Sequence, residues 1–90
     1  MDELETLRLR VGEITTEILK LIKKRLELAK AIGRLKTLRG LPIKDDEAER
    51  RLLVNVRKTC EELKIFPELG EELTNLLIKY SIKIQKESDY

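Results

Sequence analysis

The sequence predicts an all-α protein, with one long helix and two shorter helices per chain in an interlaced homodimeric bundle. Apolar residues recur at alternating spacings of three and four from residue 4 to residue 35, which indicates one face of a long helix. Two stretches that contain proline, "RGLP" and "IFPE", divide the remainder into two shorter helical segments. No segment shows the strict alternation of a β-strand.

The first helix is expected from Leu4 to about Leu38, with Gly12 and Gly33 tolerated inside it. Its apolar face, called here the seam, consists of Leu4, Leu7, Val11, Ile14, Ile18, Leu21, Leu28, Ile32 and Leu35. About 35 residues rise about 52 Å, whereas an average globular helix has about 11–12 residues. Because the rest of a 90-residue chain cannot bury the whole seam, we expect a second copy of the chain to cover it.

Glycine, proline and acidic residues mark where the first helix ends and where the other two helices begin. Gly40 suits the left-handed C-cap of the first helix, and Pro42 cannot continue it. Asp46 and Glu49 have the spacing of a capping box at the start of the second helix. Pro67 suits the first turn of the third helix. Apolar residues then recur at helical spacing through both segments: Leu52, Leu53, Val56 and Leu63, then Leu69, Leu73, Leu76, Leu77, Tyr80 and Ile84.

Composition excludes several classes of function. The formal net charge is only +2 although 40% of the residues are charged, which is unlike the basic excess of a nucleic-acid or membrane-surface patch. The chain has no histidine and a single cysteine, Cys60. An internal disulfide, a zinc site of His/Cys spacing and a histidine acid–base relay are therefore excluded.

The N-terminus and the hydropathy pattern predict a cellular location. Asp2, Glu3 and Glu5 stand where a signal peptide would need basic and then apolar residues. No apolar run approaches the ~20 residues of a membrane span. We expect a soluble, cytoplasmic protein of one domain, 1–90, that binds neither nucleic acid nor membrane.

Arg25 interrupts the seam, because it occupies a position where the spacing calls for an apolar residue. One interpretation is a polar residue that sets helix register at some cost in stability. Lys36 follows eleven residues later, about three turns along the same side of the helix; the alternative for this residue alone is a solvated lysine. Two cations on an apolar face also suit an anionic ligand.

Other polar residues border the predicted core on the second and third helices. Glu49 lies on the stripe of Leu52 and Val56, and the competing interpretation is the capping box. Asp45 lies one turn earlier and can serve as an N-cap. Ser81 and Gln85 share one helix face, with surface polarity as the alternative. Together these residues form an inward-facing set in which the cations would hold an anion and the other groups would bind its hydroxyl or ether oxygens.

Arg8 is too distant to join Arg25 in the same subunit. It precedes Arg25 by seventeen residues, about 25 Å along the helix, and lies on a different face. In an antiparallel pair of long helices, the N-terminal end of one copy reaches the middle of the other. Arg8 is therefore expected to serve the partner's site.

With these positions in hand, the chain resembles the small all-helical chorismate mutases. The resemblance extends from "LETLRLRVGEIT" to "SIKIQ" with the spacings preserved. Its elements are Arg8 in "LETLR", Arg25 in "RLELA", Lys36 eleven residues later, Asp45 and Glu49 in "PIKDDEAE", and Ser81 and Gln85 in "SIKIQ". Seven positions in register over more than seventy residues carry the resemblance.

The resemblance implies three helices per subunit in an interlaced dimer, with two sites that each borrow the N-terminal arginine of the other chain. It implies an isomerase that converts chorismate to prephenate in phenylalanine and tyrosine biosynthesis, with no metal or cofactor. Because no residues extend beyond the bundle, we expect a monofunctional enzyme without a built-in regulatory domain.

The resemblance also implies a role for each site residue. Arg25 and the partner's Arg8 would hold the two substrate carboxylates, with assistance from Ser81. Lys36 and Gln85 would donate hydrogen bonds to the ether oxygen, which gains negative charge as its bond breaks. Glu49, and the backbone near Asp45, would hold the ring hydroxyl.

Position 48 departs from the family pattern, because Ala48 stands where an arginine is usual. Lys44, Arg50 or Arg51 can compensate for the missing charge, although Arg50 and Arg51 lie about 200° and 300° around the helix from position 48. Two alternatives follow from the sequence: an isochorismate-pyruvate lyase on the same scaffold, and an inactive helical dimer that serves as an interaction module.

Overall fold

The computed structural model describes residues 2–87, which form three α-helices. These are α1 (Glu3–Leu38), α2 (Asp46–Leu63) and α3 (Pro67–Glu87). The described residues contain no β-strand, which confirms the all-α prediction of one long and two shorter helices. Within residues 2–87, no helix has both the length and the apolar character needed to cross a membrane.

Both ends of α1 are capped by local hydrogen bonds. The Asp2 carboxylate accepts the Glu5 N–H at 2.8 Å. At the C-terminus, the Leu41 N–H donates to the Lys36 carbonyl at 2.8 Å and the Gly40 N–H donates to the Thr37 carbonyl at 3.2 Å. This pair of bonds is a Schellman motif, and it requires the positive φ of +65° at Gly40. The left-handed C-cap predicted for Gly40 is confirmed.

The start of α2 differs from the prediction by one residue. The N-cap is Asp45, whose carboxylate accepts the Ala48 N–H at 3.0 Å, and Asp46 is the first helical residue. Glu49 does not reach back to the helix start, since its carboxylate bonds the Lys44 ammonium at 2.5 Å. The capping box predicted for Asp46 and Glu49 is therefore wrong, because the adjacent Asp45 has the extended backbone that an N-cap needs.

Helix α3 packs between the other two helices, which do not pack against each other within the described residues. Its direction matches that of α1, because Arg25 reaches Ser81 while Gly33, further along α1, meets Gln85. Helix α2 runs back along α3. At Gly70 a Cβ would lie 2.9 Å from Val56 Cγ1 and closer still to Cys60 Sγ, so the missing side chain lets α2 and α3 approach.

The N-terminal half of α1 is uncovered in the single chain. Every residue from 2 to 21 is exposed, and its leucines, isoleucines and valine retain between 47% and 64% of their accessible surface. The radius of gyration is 16.5 Å, against about 12 Å for a compact domain of this length. The accessible surface is 7557 Å², against about 5,400 Å² for a compact monomer of this mass. The chain alone therefore leaves the seam without cover, as its length predicted.

Lys64 ends α2 in a conformation that L-residues disfavour. Its φ is +59°. The Ile65 N–H donates to the Cys60 carbonyl at 3.0 Å and the Lys64 N–H donates to the Glu61 carbonyl at 3.2 Å. This is the same Schellman motif that ends α1, but with a lysine where α1 has Gly40. The Lys64 Cβ therefore adds a steric cost at the turn into α3.

Lys64→Gly should stabilise the protein by about 0.5–1 kcal/mol, because relief of the left-handed strain outweighs the added freedom of the unfolded chain. Chemical denaturation at fixed protein concentration measures the change. Lys64→Ala is the matched control, since it removes the same charge and keeps the Cβ. Equal stability of the glycine and alanine variants would contradict the strain argument.

Candidate active site

A cleft of about 420 Å³ lies between the C-terminal half of α1, the α1–α2 loop, α2 and α3. This volume is in the usual range for sites that bind small molecules. Six of the seven site residues predicted from the sequence line it: Arg25, Lys36, Asp45, Glu49, Ser81 and Gln85. The remaining wall is mainly apolar, formed by Leu28, Ala29, Ile32, Ile43, Ala48, Leu52, Ile78 and Ile82.

Arg25 is half-buried at one end of the cleft and is oriented by α3. Its Nη1 donates to Ser81 Oγ at 2.5 Å and to the Leu77 carbonyl at 3.3 Å. Both bonds come from the same nitrogen, so the Nη2 and Nε edge of the guanidinium can donate two parallel hydrogen bonds to a planar anion. Ser81 thus holds the arginine in an orientation suited to a carboxylate.

Lys36 is half-buried at the other end and joins three parts of the chain. Its ammonium donates to the Ile43 carbonyl at 2.5 Å and lies 3.4 Å from Gln85 Oε1. The first bond fixes the α1–α2 loop, and the second connects α1 to α3. An ammonium carries three protons, so one remains to be donated into the cleft.

Gln85 is buried, with 5% of its surface exposed. Its Oε1 accepts from Lys36, so the amide nitrogen is the end able to donate to a ligand. The burial of Gln85 and the half-burial of Lys36 do not support the interpretations of surface polarity and a solvated lysine. A buried polar pair of this kind interacts more strongly than it would in water.

Gly33 is the reason that Gln85 comes so close to α1. A Cβ at position 33 would lie 2.9 Å from Cγ, 3.0 Å from Cβ and 3.1 Å from Cα of Gln85. The last of these atoms belongs to the backbone of α3, so a larger residue would have to displace the helix itself. Gly33 therefore sets the distance between the two helices at the site.

Two carboxylates line the α2 side of the cleft. Asp45 is bonded to the Ala48 N–H as the N-cap of α2. Glu49 bonds the Lys44 ammonium at 2.5 Å, and its side chain is 24% exposed. Lys44 also bonds Asp46 at 2.9 Å. The hydrogen bond to Glu49, followed by that to Asp46, raises the pKa of the Lys44 ammonium above its usual value.

Arg8 does not line the cleft of its own chain. It lies in the uncovered half of α1 and is exposed. This agrees with the expectation, from helix length and facing, that it cannot meet Arg25 in one subunit. Its contribution to a partner's cleft stays a prediction.

The sequence reasoning missed three features of the cleft. The Ile43 carbonyl, which binds Lys36, is a backbone group with no signature in the sequence. The pair of Lys44 and Glu49 was hidden because Glu49 also fitted a capping box. Periodicity alone makes Gly33 look merely tolerated, although a glycine inside a run of strong helix formers is a sign of close packing.

Comparison with known proteins identifies the family. The family model for type II chorismate mutases matches residues 7–86, which include all seven predicted site residues. The chain belongs to the type II chorismate mutase family.

Ala48 lines the cleft of this family member. Arg50 and Arg51 instead bind Glu47, at 2.7 and 3.5 Å, and do not line the cleft.

Named relatives agree with the family assignment. A protein of Methanocaldococcus jannaschii named chorismate mutase is 33% identical over 87 residues, which cover 97% of this chain and 88% of the relative. The T-protein of Enterobacter agglomerans is 32% identical over 98% of this chain but only 24% of its own length. The bifunctional chorismate mutase/prephenate dehydratase of Aquifex aeolicus is 37% identical over 76% of this chain and 19% of its own length.

Gly33→Ala should destabilise this family member by about 1–3 kcal/mol, the usual cost of overpacking, because the new methyl group displaces Gln85 and α3. Thermal or chemical unfolding measures the loss. Lys30→Ala is the control in the same helix, because Lys30 is exposed and does not line the cleft. We expect it to be neutral or stabilising. Equal stability of Gly33→Ala and wild type would contradict the role given to Gly33.

Proposed function

We propose that the chain is a chorismate mutase that rearranges chorismate to prephenate without a cofactor, acting in the cytoplasm in aromatic amino acid biosynthesis. The observation that carries the proposal is the convergence of Lys36 and Gln85 in a cleft whose other end holds Arg25 and Ser81. This arrangement provides a carboxylate receptor and two hydrogen-bond donors, and membership of the family supports the reaction.

The substrate fits the chemistry of the cleft. Chorismate carries one carboxylate on its ring and one on its enol-ether side chain, as well as a ring hydroxyl. The free edge of Arg25 suits one carboxylate, and the apolar walls from α1 and α3 suit the carbon skeleton. Holding both ends of a flexible ether favours the folded conformer in which its reacting carbons meet, which removes part of the entropic barrier.

Charge development at the ether oxygen explains the rest of the catalysis. In the rearrangement the ether C–O bond breaks as a C–C bond forms, so all atoms are retained and no external reactant is needed. Negative charge grows on the oxygen in the transition state. The remaining proton of the Lys36 ammonium and the amide of Gln85 are proposed to stabilise it, in a partly dry site where fixed donors act most strongly.

Glu49 and the N-terminus of α2 are the proposed receptors for the ring hydroxyl. A carboxylate accepts the hydroxyl proton, and backbone N–H groups at the helix start can donate to its oxygen. Neither group takes part in bond making. Their contribution is to orient the ring.

The second carboxylate receptor is proposed to be Arg8 of the partner subunit in an interlaced homodimer. The uncovered seam of residues 4–21 and the absence of Arg8 from its own cleft support this arrangement. A second copy would bury the seam and bring a third cation to each site. Each dimer would then hold two sites, each built from both chains.

Lys36→Ala, Gln85→Ala and Arg25→Ala should each lower kcat/KM by about 10²–10³-fold, the typical cost of one preorganised donor. The assay follows the loss of chorismate's conjugated-diene absorbance and identifies the product. Lys30→Ala is the matched control, since Lys30 is exposed on α1 between Arg25 and Lys36 and does not line the cleft. We expect it to retain wild-type activity.

The product distinguishes the competing functions. Prephenate formation supports the mutase. Pyruvate released from isochorismate would instead favour the lyase, and a folded protein with neither activity would favour an interaction module.

Refolding Arg8→Ala together with Arg25→Ala should restore about a quarter of wild-type activity. Half of the randomly assorted dimers are mixed, and each mixed dimer has one intact site of two. Arg25→Ala with Lys36→Ala is the matched control, since every site of its mixed dimers carries one lesion. If Arg8 served its own chain, neither mixture would exceed the summed activity of its separate components.

A further inference from the structure

The residues of one chain that line the cleft carry no net charge, which is unfavourable for binding a dianion. Arg25 and Lys36 supply two positive charges, and Asp45 and Glu49 supply two negative ones. Asp45 is compensated in part by the N-terminus of α2, where its carboxylate accepts the Ala48 N–H. Glu49 is the carboxylate whose charge would most oppose a bound dicarboxylate.

Lys44 is the cation that meets Glu49. Its ammonium lies 2.5 Å from Glu49 and 2.9 Å from Asp46. The two carboxylates differ in environment, because the Glu49 side chain is 24% exposed and that of Asp46 is 89% exposed. The less solvated contact is electrostatically the stronger of the two, so Lys44 acts mainly on the cleft residue.

No other cation of the loop or α2 fills this role in the part of the chain that the structure describes. Position 48 offers only a methyl group to the cleft. Arg50 and Arg51 bind Glu47, and Arg57 binds Glu71. Arg39 and Lys58, the other two cations of the loop and α2, form no ion pair with Glu49. The compensation of the Glu49 charge on the α2 side of the cleft therefore depends on Lys44, which does not itself line the cleft.

We propose that Lys44 is a positioning residue of the site, which neutralises Glu49 and fixes its carboxylate so that a dicarboxylate substrate binds beside it. The proposal rests on the proposed mutase function. Lys44 does not touch the reacting atoms. It acts through Glu49. The ion pair offsets the negative charge that Glu49 would present to a bound anion, and Glu49 remains a hydrogen-bond acceptor.

The test compares the kinetics of Lys44→Met with those of wild type. We expect KM for chorismate to rise about tenfold with a smaller change in kcat, the size expected when the unpaired negative charge of Glu49 lies several ångströms from a bound anion at a partly solvated site. The difference from wild type should shrink as ionic strength rises. Lys44→Arg keeps the charge and should restore KM to within about twofold of wild type.

Two double variants, in which Lys44→Met is combined with a second substitution, distinguish this role from a structural one. In Glu49→Gln there is no charge to neutralise, so adding Lys44→Met should change KM by less than about twofold. In Ala48→Arg the wall has a second cation, and Lys44→Met should again have a reduced effect. Lys58→Met removes the same charge from an exposed position of α2 outside the cleft and should leave KM unchanged.

The outcomes distinguish the two proposals. If wild type converts chorismate and Lys44→Met has the same KM as Lys58→Met, the role of Lys44 is overturned and the mutase function stands. An equal effect of Lys44→Met in wild type and in Glu49→Gln would also overturn it, since the lysine would then act independently of Glu49. No turnover by folded wild type would refute the mutase function itself, and the role of Lys44 with it.

Discussion

The close approach of α3 to α1 at Gly33 is the contact on which the site depends. With only a hydrogen at that position, the backbone of Gln85 comes near enough for its side chain to meet Lys36. One turn earlier on the same helix, Ser81 meets Arg25. Gly70 plays the same part toward α2. Two missing side chains thus place α3 between α1 and α2, which do not pack on each other within residues 2–87, and the cleft lies among the three helices beside the α1–α2 loop.

The polar residues of the cleft conflict with the apolar pattern around them. Arg25 and Lys36 stand on a helix face otherwise built to be buried, and a partly buried cation needs partners to offset lost hydration. The carbonyls of Leu77 and Ile43 and the side chains of Ser81 and Gln85 provide them. A leucine at position 25 would be the simpler choice for stability. Retention of the charge is what a binding site requires, and such sites commonly sacrifice some stability.

Much of the fold was predictable because its determinants are local. Periodicity gave the long helix, and Gly40 and Pro67 marked the ends of elements through their own backbone preferences. The site residues were predictable because polar groups at apolar positions violate the pattern. Asp45 and Asp46 are both good N-caps, so local chemistry could not choose between them. The hydrogen bond from Lys36 to the Ile43 carbonyl was not predictable, because it depends on the path of the α1–α2 loop in the folded chain.

Other features depend on contacts between distant residues and have no local signal. Lys44 and Glu49 are close in the sequence, but their pairing depends on the path of the loop between α1 and α2. The displacement that a side chain at Gly33 would cause depends on a helix fifty residues later. The single chain leaves residues 2–21 exposed, so its own contacts cannot reveal what covers this part of the seam.

The uncovered seam has a consequence for how this protein tolerates change. In the proposed dimer of identical chains, one altered codon alters the interface twice. A substitution that would be neutral on a monomer's surface then affects the interface energy at two places. A residue near the two-fold axis contacts the same position of the other chain, so a substitution there changes both sides of one contact. Compensation cannot come from an independent partner and must arise within the same gene. The first twenty residues are therefore expected to vary less freely than their exposure in one chain suggests.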